Sequence, residues 1–291
     1  PHLFGKGYIA YGFKDERLKG LAEVEYSFKK KKEYANEFPI HSLKVRYESD
    51  VNQYGQNYLY TSKDNVFLAL KREKDDRIGY YRQAEMTYTN EFYSGFSFQL
   101  TARRRTDESS YLIPFLRKDG EVYSPVKDFS TSAAELKLRY APNEKFFQTQ
   151  WNRFPVSLDA PVFTLSHTIA GKGVLGSDYT YNHTEAGIQK RFWFSAFGYT
   201  DIILKAGKVW DKVPLLIMPN ANLSYTIQPE SCSLMNAMEF MNDEYFSWDV
   251  TYFLNGWLFN RIPLLKKLKW REIVSCRGLY GHLSDKNNPD M

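Results

Sequence analysis

Chemistry in this chain would have to start from very few residues. Five histidines occur, His2, His41, His167, His183 and His282, and no two stand at the HxxxH or HExxH spacing that aims two imidazoles at one metal. Ser166 precedes His167, and His183 is followed by Thr184 and Glu185, so a serine, a histidine and an acid are all present. A hydrolase at a barrel rim would need the three to converge. Nothing in their spacing brings them together, and ordinary strand or loop polarity accounts for them. "GKGVLGSD" (171–178) looks like a phosphate loop but lacks the GK[ST] ending and a helical pattern after it. Gly171, Gly173 and Gly176 fit a hairpin loop instead. Cys232 and Cys276 read as two free thiols. The expectation is a non-enzymatic chain with no catalytic residues, no cofactor and no metal site.

Charge points away from nucleic acid as a partner. Lys and Arg number 39 against 34 Asp and Glu, a net charge of +5, and the signs are mixed along the chain rather than gathered into a stripe. The clusters Lys29 to Lys32 and Arg103 to Arg105 read as solvated or headgroup-facing loop ends. No run approaches the ~18 apolar residues of a spanning helix. With neither an initiator Met nor a signal-like start, residues 1–291 read as one domain excised from a longer chain.

The elements that must position these residues announce themselves by alternation. Tyr 22, Phe 21 and Trp 6 stand in a chain whose mean hydropathy is only −0.52. In 18–29, Leu18, Gly20, Ala22, Val24, Tyr26 and Phe28 oppose Lys19, Leu21, Glu23, Glu25, Ser27 and Lys29. That is the period of a strand. The same phase recurs in 78–89, 92–103, 134–140 and 246–255, and more weakly in 8–13, 38–48, 66–73, 161–170, 184–194, 199–210, 220–228 and 272–282. About a dozen strands result, near the ~9–11 residues of a tilted membrane strand. The one helical candidate is 231–243. Connections run long through 49–65 and 104–130 and short through "KDER" (14–17) and "PNEK" (142–145).

A soluble β-sandwich alternates too. The membrane barrel is preferred because aromatics end the apolar faces, charges of both signs (Glu23, Glu25, Glu135, Lys137, Arg139) fill the opposite faces, and connections alternate roughly between short and long. The fold class expected is all-β, an antiparallel transmembrane β-barrel.

Residues 204–289 carry more specific signals. "AGKV" (Ala206 to Val209, with Pro214 after it), "LMNAMEFMNDEYFS" (234–247) and "NGWLFNRIPLLKKLKWRE" (255–272) resemble the C-terminal barrel of a Bacteroidetes outer-membrane family of unknown function. In that family a carboxypeptidase-regulatory-like domain precedes the barrel, which is distantly similar to BamA-type surface-antigen barrels. The matching motif residues include Glu239, Phe240, Asp243, Asn255, Gly256, Pro263, Arg271 and Glu272. The resemblance implies a bacterial outer-membrane location and no known enzymatic activity. The regulatory-like domain and the family's final strands are absent here. "CRGLYG" (276–281) is similar to the Arg-Gly-aromatic loop of BamA-type proteins only by accident, since it falls inside an alternating strand.

The function expected is transport, protein export or envelope assembly, with outer-membrane lipid and other envelope proteins as partners. A passive diffusion channel and a soluble carbohydrate-binding sandwich are the alternatives. Tyr111, Leu112, Ile113, Phe115 and Leu116 make 104–130 a locally packed loop or a plug. "NGWLFNRIPLLKKLKWRE" is expected as an interfacial connection between strands 245–258 and 271–282, on the periplasmic side, with Pro263 interrupting any helix. Trp248, Trp257, Phe259 and Trp270 are expected at the membrane boundary, with Lys266 and Lys267 reaching toward headgroups.

Overall fold

The structure, a computed structural model, describes residues 1–13, 15–54, 78–120, 122–149, 153–156, 159–214 and 240–288. Alternating sequence becomes strand nearly wherever it occurs. In chain order the strands are β1 (Leu3–Gly12), β2 (Arg17–Ser27), β3 (His41–Gln53), β4 (Ile78–Glu91), β5 (Phe96–Glu108), β6 (Phe115–Asp119) and β7 (Val122–Val126). They continue with β8 (Asp128–Tyr140), β9 (Phe146–Gln148), β10 (Arg153–Pro155), β11 (Val162–Ala170), β12 (Tyr181–Trp193), β13 (Tyr199–Val209), β14 (Glu244–Phe253) and β15 (Ile273–His282). Eleven of them form one sheet in the order β1-β2-β3-β4-β5-β8-β11-β12-β13-β14-β15, every neighbour antiparallel. The pairs β6-β7 and β9-β10 are separate two-stranded hairpins. A sandwich would need two layered sheets, and no second large sheet exists among the described residues.

Chain direction alternates across the sheet, so its connections fall at two ends. The strand ends Gly12 and Arg17, Gln53 and Ile78, Glu108 and Asp128, Ala170 and Tyr181, and Val209 and Glu244 lie at one end, the upper. The ends Ser27 and His41, Glu91 and Phe96, Tyr140 and Val162, Trp193 and Tyr199, and Phe253 and Ile273 lie at the other, the lower. Strict alternation of short and long connections is not observed. "PNEK" is not a short return to the sheet, because β9 and β10 intervene before β11. The 104–130 segment is less a loop than the end of β5, the β6-β7 hairpin and the start of β8, with Phe115 and Phe129 packed at 5.3 Å. The strand expected over 92–103 begins only at Phe96, because 92–95 is a turn closed by the Phe92 N–H to Phe96 O bond of 2.9 Å. The expected strands 66–73 and 220–228, and 231–239 of the expected helix, lie outside the described residues; 240–243 are not helical.

What the sheet buries inverts the usual rule. Among the described residues, buried side chains are more often polar than apolar: Glu23, Ser27, Glu48, Asp50, Thr87, Thr101, Asp107 and Asp249 are all buried within strands. The one apolar core cluster among the described residues is small and sits at the upper end, where Ala170, Tyr181, Val209 and Val213 meet Ala133, Met241 and Leu283. β1 and β15 are the free edges of the sheet among the described residues, so the strands form an open sheet rather than a closed barrel there.

Candidate functional site: two faces and a lower rim

Because side chains alternate along a strand, the register assigns each residue to one face. On the inner face the row Lys6, Glu23, Arg46, Glu85, Arg103 crosses five strands with charges of alternating sign. Ion pairs tie this face together: Lys6–Glu23 at 3.2 Å, Arg46–Glu48 at 2.7 Å, Arg105–Asp107 at 2.7 Å, Arg191–Asp201 at 2.6 Å and Arg277–Asp249 at 2.7 Å. Tyr8 donates to Asp50 two strands away. Tyr245 of β14 likewise donates to Glu185 of β12, reaching across β13 at Gly207. A Cβ at Gly207 would collide with the Tyr245 ring, which accounts for the glycine in "AGKV".

The outer face is apolar and exposed. Ile9, Leu18, Val24, Val45, Met86, Leu100, Phe163, Ile169, Phe246 and Val274 are among its uncovered large side chains. The apolar band crosses the sheet at a slant. One register line runs Tyr26, Leu43, Tyr88, Leu100, Leu136 and then His167, Thr184, Lys208, Glu244, His282. It leaves the apolar band between β8 and β11. In β2 the band extends upward to Leu18, whereas in β14 it begins below the line at Phe246 and continues to Tyr252. Taking ~3.3 Å per residue and ~4.8 Å between strands, the band runs at about 25–40° to the register line. Aromatics line the lower edge: Tyr26–Phe28 at 5.4 Å, Phe28–Tyr88 at 6.2 Å, Tyr88–Phe98 at 5.9 Å and Phe92–Phe98 at 6.3 Å.

Two lower connections close one packed unit beneath the inner face. Arg153 makes two hydrogen bonds to Glu91, of 2.9 and 2.5 Å, and stacks on Phe146 at 4.3 Å; Glu91 also accepts the Ile40 N–H at 2.8 Å. Gln148 donates to Asn36 at 2.8 Å. Glu37 holds its own loop by accepting the backbone N–H groups of residues 32, 33 and 34, which keep its carboxyl below the usual range against the opposing effect of burial. Lys31 is buried beneath, donating to the Glu37 and Pro39 carbonyls, and burial lowers its ammonium pKa. Between this loop and the wall lies a cavity of about 600 Å³. Glu33, Tyr34, Ala35 and Asn36 line it together with wall residues such as Glu25, Lys44, Lys137 and Arg139, so the loop bends inward under the polar face.

The motif residues turn out to be fasteners. Asp243 is buried at the upper end and accepts from the Ser284 N–H (3.0 Å), the Ser284 hydroxyl and Asn287 Nδ2 (2.8 Å). Burial acts to raise its pKa, but these bonds win and hold it below the ordinary value. Glu272 turns inward to accept the N–H groups of Leu258 (2.8 Å) and Phe259. Asn255 and Gly256 supply the left-handed turn, φ 53° and 83°, that starts this connection. No helix runs through Pro263: Ile262 before it is extended, and Pro263 opens the five-residue α1 (Pro263–Lys267), where its missing N–H costs nothing. Arg271 donates to the Trp270 carbonyl at 3.0 Å, Phe240 is exposed, and Glu239 lies outside the described residues.

Of the expected boundary residues, Trp257, Trp270, Lys266 and Lys267 are exposed on the lower connection and Phe259 is half-buried there. Trp248 lies within β14, opposite Gly278, whose missing side chain leaves room for the indole. Ser166 and His167, adjacent in a strand, point to opposite faces; His167 bonds Thr184 outside (2.9 Å), while His183 is half-buried on the inner face. Sequence reasoning missed Glu91 and Arg153, which belong to no motif, and it missed the pairing of Glu185 with Tyr245, which only the register brings together. Among the described residues, no group of three or more His, Cys, Asp or Glu side chains converges on a metal position.

A large antiparallel sheet with a charged, buried face and an exposed apolar one defines an all-β protein of inverted polarity. The chain matches the C-terminal domain of a family of unknown function, DUF5686, over residues 3–287, and it belongs to that family. No curated protein matches it.

Proposed function

We propose that this sheet is the wall of an outer-membrane β-barrel, non-enzymatic, serving transport, protein export or envelope assembly. The observation that carries this reading is the slanted apolar band, exposed on one face while charged side chains are buried on the other. In water such exposure is unfavourable at about 25 cal/mol per Å²; in lipid it is what a tilted strand requires. Eleven alternating strands run β1 and β15 in the same direction, so an antiparallel closure takes an odd number of further strands. The lower end, with the turns 92–95 and 194–198 and the aromatic edge, is the periplasmic end in this reading. The inturned loop 28–40 narrows the passage there, which favours a gated or cargo-dependent route over a steady pore.

The test has two stages. After reconstitution the protein should fractionate with lipid and resist extraction by carbonate; a monomer stable in detergent-free buffer would contradict the membrane reading. In planar bilayers the account expects little steady conductance from the wild type and more from Arg153→Ala. A steadily open wild-type conductance would favour the diffusion channel instead.

A further inference from the structure

Connection 254–272 stands apart in its charge. Arg261, Lys266, Lys267, Lys269 and Arg271 are all exposed in one short segment, while its single acid, Glu272, is turned inward onto backbone amides. Nearby acids are already engaged: Asp201 by Arg191 and Asp159 by Trp193. The net charge of the whole chain is +5, so a cluster of five outward cations with no outward acid is a local concentration rather than an average. The same segment exposes Trp257, Leu258, Ile262, Leu264, Leu268 and Trp270. Trp257 packs on Phe197 at 5.7 Å, beside the Phe194–Tyr252 pair at 5.9 Å, so the apolar part continues the aromatic lower edge of the sheet.

Resting on the membrane reading above, we infer that this connection is a foot that binds the phosphates of anionic phospholipids in the leaflet at the lower end. The apolar side chains enter the acyl boundary, and the lysines lie where headgroup phosphates would meet them. Attraction of about 1 kcal/mol per basic residue near an anionic surface corresponds to about fivefold in lipid affinity for each.

The test uses the full chain in neutral-detergent micelles, titrated with phosphatidylglycerol or phosphatidylcholine and read by native mass spectrometry. The wild type should retain phosphatidylglycerol at least about tenfold better than phosphatidylcholine. The triple variant Lys266→Gln/Lys267→Gln/Lys269→Gln should fall below about twofold, and the upper-end control Lys127→Gln/Lys172→Gln/Lys212→Gln should keep the wild-type ratio. Equal retention of both lipids by the wild type, or equal loss in both variants, would overturn the foot. Failure of the wild type to enter bilayers at all is a separate result, and it would overturn the membrane reading first.

Discussion

The N-terminal half of the sheet (β1 to β8) and the C-terminal half (β11 to β15) answer the same register line oppositely. Where the first half places Tyr26, Leu43, Tyr88, Leu100 and Leu136, the second places His167, Thr184, Lys208, Glu244 and His282. Lys208 and Glu244 even pair with each other there. The halves also fasten their lower ends differently. The first uses an ion pair between distant segments, Arg153 with Glu91; the second uses backbone capping by Glu272 within one connection. A flat layer bounded by water on both sides would have no cause to shift its polarity boundary along the sheet. A tilted array crossing a slab of lipid has to, because each strand meets the slab a little farther along its length.

That contrast can be broken at several points. The largest effect belongs to the first half's fastening: Arg153→Ala leaves the mostly buried Glu91 carboxylate without its counter-ion, with the Ile40 N–H still donating to it, and should cost about 3–5 kcal/mol, read as a lower urea midpoint in micelles. Next comes the line itself. Leu100→Lys should cost about 2–4 kcal/mol in a bilayer, whereas His282→Lys on the same line should cost no more than about 1 kcal/mol; equal costs would erase the distinction between halves. Gly207→Ala pushes a methyl into the Tyr245 ring and should cost about 1–3 kcal/mol, and a Gly207→Ala/Tyr245→Phe double variant should not recover it, since the ring remains. The smallest effect is pH-dependent. Asp243 has a folded pKa below its unfolded value of ~3.9, so its contribution is complete above that value and is lost only as pH falls through the lower folded one. Hydrogen exchange of the Ser284 amide should be flat from neutral pH down to about 4 and, once corrected for intrinsic rates, accelerate below it; Asp243→Asn should flatten that response.

Much of this was legible in the sequence, for a local reason. Alternation is written residue by residue, so the two faces of β2, β4, β8 and β14 follow from the order of Leu18, Glu23, Val24 and their counterparts. Turns that alternate by chance are not, and 92–95 was absorbed into a strand. Register is non-local: only pairing reveals that Lys6, Glu23, Arg46, Glu85 and Arg103 form a row, or that Tyr245 crosses Gly207 to reach Glu185. The motif "NGWLFNRIPLLKKLKWRE" is rightly placed between two strands, and no helix runs through Pro263; what the sequence did not show is that Pro263 opens a short helix of its own. Trp248 depends on pairing in the same way: only the register reveals Gly278 opposite it, with the space that its indole occupies.

The central claim is that one register line passes out of lipid between the two halves. Spin labels placed singly at Leu100 and Thr184, with Cys232 and Cys276 replaced, measure it most directly through power saturation in liposomes. The account predicts that Leu100 is relaxed strongly by oxygen and weakly by a water-soluble nickel chelate, with the order reversed at Thr184. The same accessibility at both positions would contradict it.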